Sequence, residues 1–284
     1  MEFWIINLLN GLSLGMIFFM LTSGFTLILG LMNVLHLAYG SFYLLSAYLG
    51  FTIIQRFENF WLACLLCLLL GALLGLLIER LVLGPLFGQH LPQALATVGG
   101  AYFLTGIALW IWRGNIYMLP KPSFLEGSVP LLGFFFPTYR LFIIFVGIIL
   151  AIGLWLFQER TKAGAIIRAG VDDEEMARAM GIDIRFVFSA VFILASALAG
   201  ITGVLGGPIL GAFVGAEWEV LVLALVVVII GGLGSILGAF VGSLAVGLLQ
   251  VFTVALLPEL SYFAIFAPMV IILAFRPQGF FGKK

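Results

Sequence analysis

Along this chain apolar residues run in blocks of about twenty, broken by short clusters of charge, glycine or proline, without the half-apolar periodicity of soluble elements. A helix needs about 20 residues to cross ~30 Å of hydrocarbon, whereas barrel strands would be shorter and alternating. The breaks predict about nine spans, within eight to ten, near residues 4–30, 37–55, 60–83, 93–112, 139–158, 186–207, 218–231, 234–256 and 261–276. The expected fold is an all-α polytopic transmembrane helix bundle forming a single domain, residues 1–284. The first run is long enough to be tilted or broken, and it flows into the second without a clear cleavage site, so it is not expected to be a removed signal peptide. The pieces either side of "GGLGS" fit two crossings or one re-entrant unit.

Composition supports the membrane reading. At 63% apolar and 9% charged over 284 residues, the chain departs from ordinary globular domains, which are nearer half apolar and a quarter charged. Orientation follows from the basic residues of the loops. With the C-terminus inside, one side holds Arg80, Arg160, Lys162, Arg168, Arg178, Arg185, Arg276, Lys283 and Lys284, and the other Arg56, Arg113, Lys121 and Arg140. That imbalance favours a cytoplasmic C-terminus, and an odd span number then puts Met1 outside.

One loop is dense enough in charge to require water, "ERTKAGAIIRAGVDDEEMARAMGIDIR" between about 159 and 185. Asp172 and Glu175 have the spacing of a capping box, with Asp173 and Glu174 adding negative charge at the helix start. Gly181 supplies a stop, with Ile182 placed for the apolar contact that follows a glycine cap. Between them Met176, Ala177 and Met180 give a helix of about two turns a small adaptable apolar face. A helix so short needs something to pack on, the bilayer surface or a partner protein.

Polar groups also enter the apolar blocks. In "GLMNVLHLAYGSFYLLSAYLG", residues 30–50, continuous helical spacing from Asn33 puts His36, Gly40, Tyr43 and Ala47 on one narrow face, while Leu35, Phe42 and Leu45 fall elsewhere. Gln93, Thr97 and Gly100 form a second, weaker stripe on the fourth span. An unpaired imidazole, amide or phenol in hydrocarbon costs on the order of a few kcal/mol, so these faces must meet protein or a water-filled path. Two readings remain open, interhelical contacts or the lining of a translocation route. The route is favoured because ionisable groups inside a membrane mark pathways. Its candidate residues are Asn33, His36, Tyr39, Gly40, Tyr43, Gln93 and Thr97. The glycines at 234, 238 and 242, with Ser235 and Ser243, have small-residue spacing that favours helix packing.

Other chemistries find little support. Cys64 and Cys67 form a C-x-x-C without a second pair or a nearby histidine, so no metal site is expected, and both read as small apolar residues of a lipid-embedded helix. His36 is no metal ligand on the same ground, since the other histidine, His90, is expected in a distant loop. No phosphate-cradling G-x-x-x-x-G-K-[ST] occurs, and no nucleophile with its base or H-E-x-x-H points to an enzyme. A stand-alone channel or secondary transporter would be expected to carry paired intramembrane carboxylates or an inverted repeat. Glu79, Glu217, Glu219 and Glu259 are all expected at span ends.

The charged loop resembles the cytoplasmic coupling loop of permease subunits in ATP-binding-cassette importers. Its "RAGVDDEEMARAMGI" is similar to the branched-chain amino-acid permease family at Arg168, Ala169, Asp173, Met176, Ala177, Gly181 and Ile182. The likeness extends through "NGLSLGMIFFMLTSGFTLILGLMNVLHLAYG", "ERLVLGPL", "ATVGG", "GGLGSILGAFVGSLAVG" and "FRPQGFFG", in the family's order. The chain departs from the family where His36, Leu37, Ala38, Tyr39 and Gly40 replace the usual Asn-Phe-Ala-His-Gly. Gly84 stands where an arginine usually precedes Pro-Leu, and Gln250 lies where glutamate is frequent. The resemblance implies a permease subunit in a bacterial inner (plasma) membrane, forming the pathway for a small solute, a branched-chain or other amino acid, or alternatively urea, an amide or a sugar. Implied partners are two ATPase subunits, a second homologous permease or a second copy, and a periplasmic or extracellular solute-binding protein. The chain would bind no cofactor, ATP being hydrolysed by the ATPase subunits. Coupling to them would rest on Arg168, Asp173, Met176, Ala177, Met180 and Gly181 in a short cytoplasmic coupling helix.

Overall fold

The computed structural model describes residues 2–32, 36–131, 133–276 and 278–282, with all of their side chains save those of Met32, His90, Asp172, Glu174, Tyr262 and Ala264. It is a helix bundle, and each of the nine predicted apolar segments is helical. They are α1 (Glu2–Met32), α2 (Tyr39–Phe57), α3 (Phe60–Ile78), α4 (His90–Trp112) and α5 (Thr138–Arg160), then α8 (Ile184–Leu210), α9 (Ala216–Gly231), α10 (Ile236–Leu256) and α11 (Ser261–Phe275). Two short helices, α6 (Lys162–Asp172) and α7 (Glu174–Ala179), lie between α5 and α8. Among the described residues six helices are long and apolar enough to cross a membrane by themselves: α1, α3 with the turns that extend it to Leu86, α4, α5, α8 and α10.

Local chemistry sets the helix ends. Asn59 accepts from the Leu62 N–H at 3.0 Å to start α3, and Ser235 accepts from the Gly238 N–H at 3.0 Å to start α10. Asp183 accepts from the amides of Arg185 and Phe186 at the start of α8. After Ile78 the chain widens into a π-helical turn, Glu79–Leu83, before a 3-10 turn, Gly84–Leu86, leads towards α4.

The core is made where α1, α2 and α8 meet α9 and α10, while α4, α5 and α11 lie at the periphery. Small residues let backbones touch. A Cβ at Gly247 would stand 2.6 Å from the Gly15 Cα, and one at Gly15 3.0 Å from the Leu244 Cα, so α1 and α10 cross with no side chain between them. Gly71 and Gly200 do the same for α3 and α8. The outer faces are greasy: α3 exposes Trp61, Leu65, Leu69 and Leu73 at four-residue spacing, as a lipid-facing stripe requires.

Several expectations change. The helical bundle carries one element the expectation lacked, an antiparallel hairpin of Ser128–Leu131 (β1) and Phe134–Pro137 (β2) with Gly133 at φ 96° in its turn. Four residues per strand give too little periodicity to stand out beside twenty-residue apolar blocks. The first run is one unbroken helix of 31 residues, and "GGLGS" joins two helices, α9 and α10. Residues 159–185 hold two helices, not one. The cap of α7 is Asp173, one residue later than Asp172, because α6 continues through Asp172. Cys64 and Cys67 are free and buried, with the Cys67 thiol 3.4 Å from the Ser46 carbonyl, so they face protein rather than lipid.

Gly247→Leu drives a side chain into α1 and is expected to lower thermal stability in detergent by at least the ~1–3 kcal/mol of an overpacked core. Gly153→Leu, with open space around the site, should change it by no more than ~0.5 kcal/mol. Thermal unfolding of the two purified variants checks the contrast.

Candidate functional site: a polar seam and a charged elbow

The polar stripe does not lie on one continuous helix. Asn33 lies outside the described residues, His36 to Ala38 form a turn, and α2 begins only at Tyr39, so helical spacing counted from Asn33 does not apply. The polar residues are nonetheless drawn to one region, where the turn and the first half of α2 run between α4, α8 and α9.

His36 is buried, 1% exposed, and neither ring nitrogen has a hydrogen-bond partner among the described residues. Its ring centroid lies 4.7 Å from that of Phe192 and 5.5 Å from that of Phe42. The neighbouring turn is held from α4: the Thr97 hydroxyl accepts from the Leu37 N–H at 3.2 Å and donates to the Ala94 carbonyl at 2.8 Å. Gln93, one turn earlier, donates to the Leu83 carbonyl at 3.3 Å, tying α4 to the π-helical turn. Gly100, the third member of that stripe, stands 3.8 Å from the Ala38 Cβ when given a side chain. His90 is the first residue of α4 rather than part of a loop.

The other stripe residues have structural partners. The Tyr39 hydroxyl lies 2.8 Å from the Leu21 carbonyl and 3.1 Å from that of Ala195, bridging α1 and α8. Tyr43 donates to the Gly211 carbonyl at 3.3 Å. Gly40 leaves no room for a side chain, since a Cβ would collide with the carbonyl of Glu217 on α9.

Glu217 is the residue that span counting misses. Expected at a span end, it is 3% exposed. One carboxylate oxygen accepts from the Gly215 N–H at 2.8 Å and the other from the Thr105 hydroxyl at 3.2 Å. The signal in the sequence is "GAEWEV", an acidic residue two positions after glycine at the start of an apolar block, which reads equally as an exposed helix start. Glu79 is likewise buried, 8% exposed, within the π-helical turn, and its Oε2 has no partner among the described residues.

The charged loop forms an elbow. Arg168 bonds the Gln158 carbonyl and stands 3.3 Å from the Glu159 carboxylate, folding α6 back on the end of α5. Asp173 accepts from the Met176 N–H at 2.9 Å. At the other end Gly181, at φ 84°, donates to the Arg178 carbonyl at 2.9 Å and Ile182 to the Ala177 carbonyl at 3.1 Å, the paired bonds of a Schellman cap. Ala177 is buried beneath, while Met176 and Met180 are 59% and 76% exposed, an apolar knob on a charged surface. The guanidinium groups of Arg178 and Arg185 each lie 5.4 Å from the Phe87 ring, which joins the elbow to the chain leading into α4. No cluster of three or more metal-ligating side chains occurs among the described residues.

Residues 7–273 match the family described as branched-chain amino acid transport system / permease component. The chain is 25% identical over 292 residues to the high-affinity branched-chain amino acid transport system permease protein BraD of Pseudomonas aeruginosa, covering 98% of this chain and 95% of that one. It is 24% identical over 298 residues to the permease protein LivH of the like-named system of Salmonella typhimurium, again covering 98% and 95%. With the permease protein LivM of Escherichia coli it shares 27% identity over 299 residues, 94% of this chain and 68% of that one.

Proposed function

This chain belongs to the branched-chain amino acid transport permease family, and from that premise we propose that it forms the translocation route of an ATP-binding-cassette importer for a branched-chain or similar amino acid. In this reading the nine apolar helices cross the membrane, six by their own length and α2, α9 and α11 in the company of neighbours, with the C-terminus in the cytoplasm. A second homologous permease stands beside it, as the shared likeness to LivH and LivM supports. Two ATPase subunits bind ATP, and an extracytoplasmic protein delivers the solute.

The observation that carries the route is His36. An imidazole sealed among aromatic rings with two unpartnered nitrogens carries a desolvation cost that helix packing alone does not offset. A route that admits water or solute during the transport cycle supplies the missing partner. Tyr43, Gln93 and Thr97 surround this path through their interhelical contacts, while Gly40 and Tyr39 bring the helices together. The exposed Met176 and Met180 knob seats on the ATPase subunits. Asp173 and Gly181 fix its ends and Arg168 its base, so that ATP-driven closure moves α7 as a unit.

His36→Leu should lower solute uptake by about tenfold, equivalent to ~1.4 kcal/mol in the transport barrier, with normal membrane assembly. Uptake into vesicles reconstituted with the complete importer measures it, and an unchanged rate would assign His36 to packing. Gly181→Ala places a side chain at a positive φ that costs about 1–2 kcal/mol. It is expected to leave ATP hydrolysis running while uptake falls, and intact stoichiometry between the two would remove the elbow from the coupling role.

A further inference from the structure

Among the described residues one histidine and two carboxylates are buried among the helices, His36, Glu79 and Glu217, and Glu217 is the one whose surroundings define a ligand chemistry. We propose that its carboxylate is the subsite for the cationic nitrogen of the transported solute, a primary ammonium group, within the route described above. The inference rests on that route and adds the charge the route selects.

The carboxylate sits where α2, α4 and α9 converge. Gly40 backs directly on the Glu217 main-chain carbonyl, while the carboxylate accepts from the Thr105 hydroxyl of α4 and from the Gly215 N–H in the turn before α9. Each oxygen thus accepts one hydrogen bond from a neutral donor, and a carboxylate has about four lone-pair sites, so acceptor capacity remains unused on both. Among the described residues no lysine or arginine pairs with Glu217, whereas at the elbow Arg168 pairs with Glu159. The two donors and the N-terminal dipole of α9 favour a negative group here but do not neutralise it.

That imbalance selects among solutes. An ammonium group brings three N–H donors and one positive charge, and it forms the short charge-assisted bonds that a carboxylate in low dielectric makes best. A neutral amide or urea supplies donors without the charge. An anion lacking an amine is repelled. His36, which precedes Gly40 by one helical turn's worth of chain and has no partner of its own, gives the same route a second polar station. A zwitterionic amino acid has groups for both kinds of contact.

A cap with no ligand role makes a different prediction, which glutamine resolves. Glu217→Gln keeps an oxygen to accept the Gly215 N–H and loses the charge; Glu217→Asp keeps the charge. The complete importer, reconstituted with its binding protein at saturation, is assayed for initial uptake of L-leucine, L-isoleucine, L-valine and urea, alongside ATP hydrolysis. The expected result is amino-acid uptake by the wild type. Loss of a partner from a buried charge pair then lowers Glu217→Gln uptake at least about tenfold, with ATP hydrolysis retained, and Glu217→Asp recovers much of it. Wild-type uptake of the amino acids with Glu217→Gln unaffected would overturn the subsite and leave the proposed function standing. Equal loss of uptake and hydrolysis in both variants would show a purely structural cap and overturn it too. A wild type that carries urea and none of the three amino acids would overturn both.

Discussion

Hydrocarbon offers a backbone or a polar side chain no hydrogen-bond partner, and this constraint organises the molecule. Helices satisfy their own amides, so what remains is to place helix ends and polar side chains where another helix can meet them. The glycine contacts of α1 with α10 and of α2 with α9 are one part of that solution, because backbones in contact exclude lipid. The other is the set of hydroxyl groups that reach carbonyls across a crossing, Tyr39 to Leu21 and Ala195, Tyr43 to Gly211, Tyr139 to Leu205 at 2.7 Å. These carbonyls are already engaged or near helix ends, so each phenol finds an acceptor without breaking a helix.

Against that background the exceptions carry meaning. His36 and one oxygen of Glu79 are buried without partners, and Glu217 is partnered but not neutralised. In an ordinary core such groups would be replaced at little cost by apolar residues of similar volume. In the proposed route they are the groups that would gain partners when a polar solute occupies it. They lie around the turn before α2, the π-helical turn and the start of α9, three places where helical geometry is interrupted. Interruptions free backbone groups and create the small irregular spaces that straight helices do not.

The elbow uses different physics, since α6 and α7 are rich in charge and short. Neither is long enough to be stable by propensity alone. Asp173, the Schellman cap at Gly181, and Arg168 folded onto the end of α5 give them a fixed shape. Arg178 and Arg185 against Phe87 connect that shape to the segment whose π-helical turn is held by Gln93 of α4, and α4 in turn holds the His36 turn through Thr97. The polar seam and the elbow are therefore linked by direct contacts.

The apolar blocks of the sequence located nine helices to within a few residues, and the run around Gly181 marked a helix stop, because span length and left-handed backbone geometry are local properties. The order of the motifs likewise pointed to the family whose pattern residues 7–273 match. Periodicity misled where the chain left the helix: residues counted from Asn33 as one face are split by the turn at His36, and the hairpin at Ser128–Pro137 was too short to register. The cap at Asp173 rather than Asp172 depended on how far α6 runs, which four consecutive acidic residues leave undecided. Only the tertiary structure placed Glu217 inside the bundle against Gly40 and Thr105, since whether an acid at a helix start meets water or protein depends on neighbours 112 and more residues away in the chain.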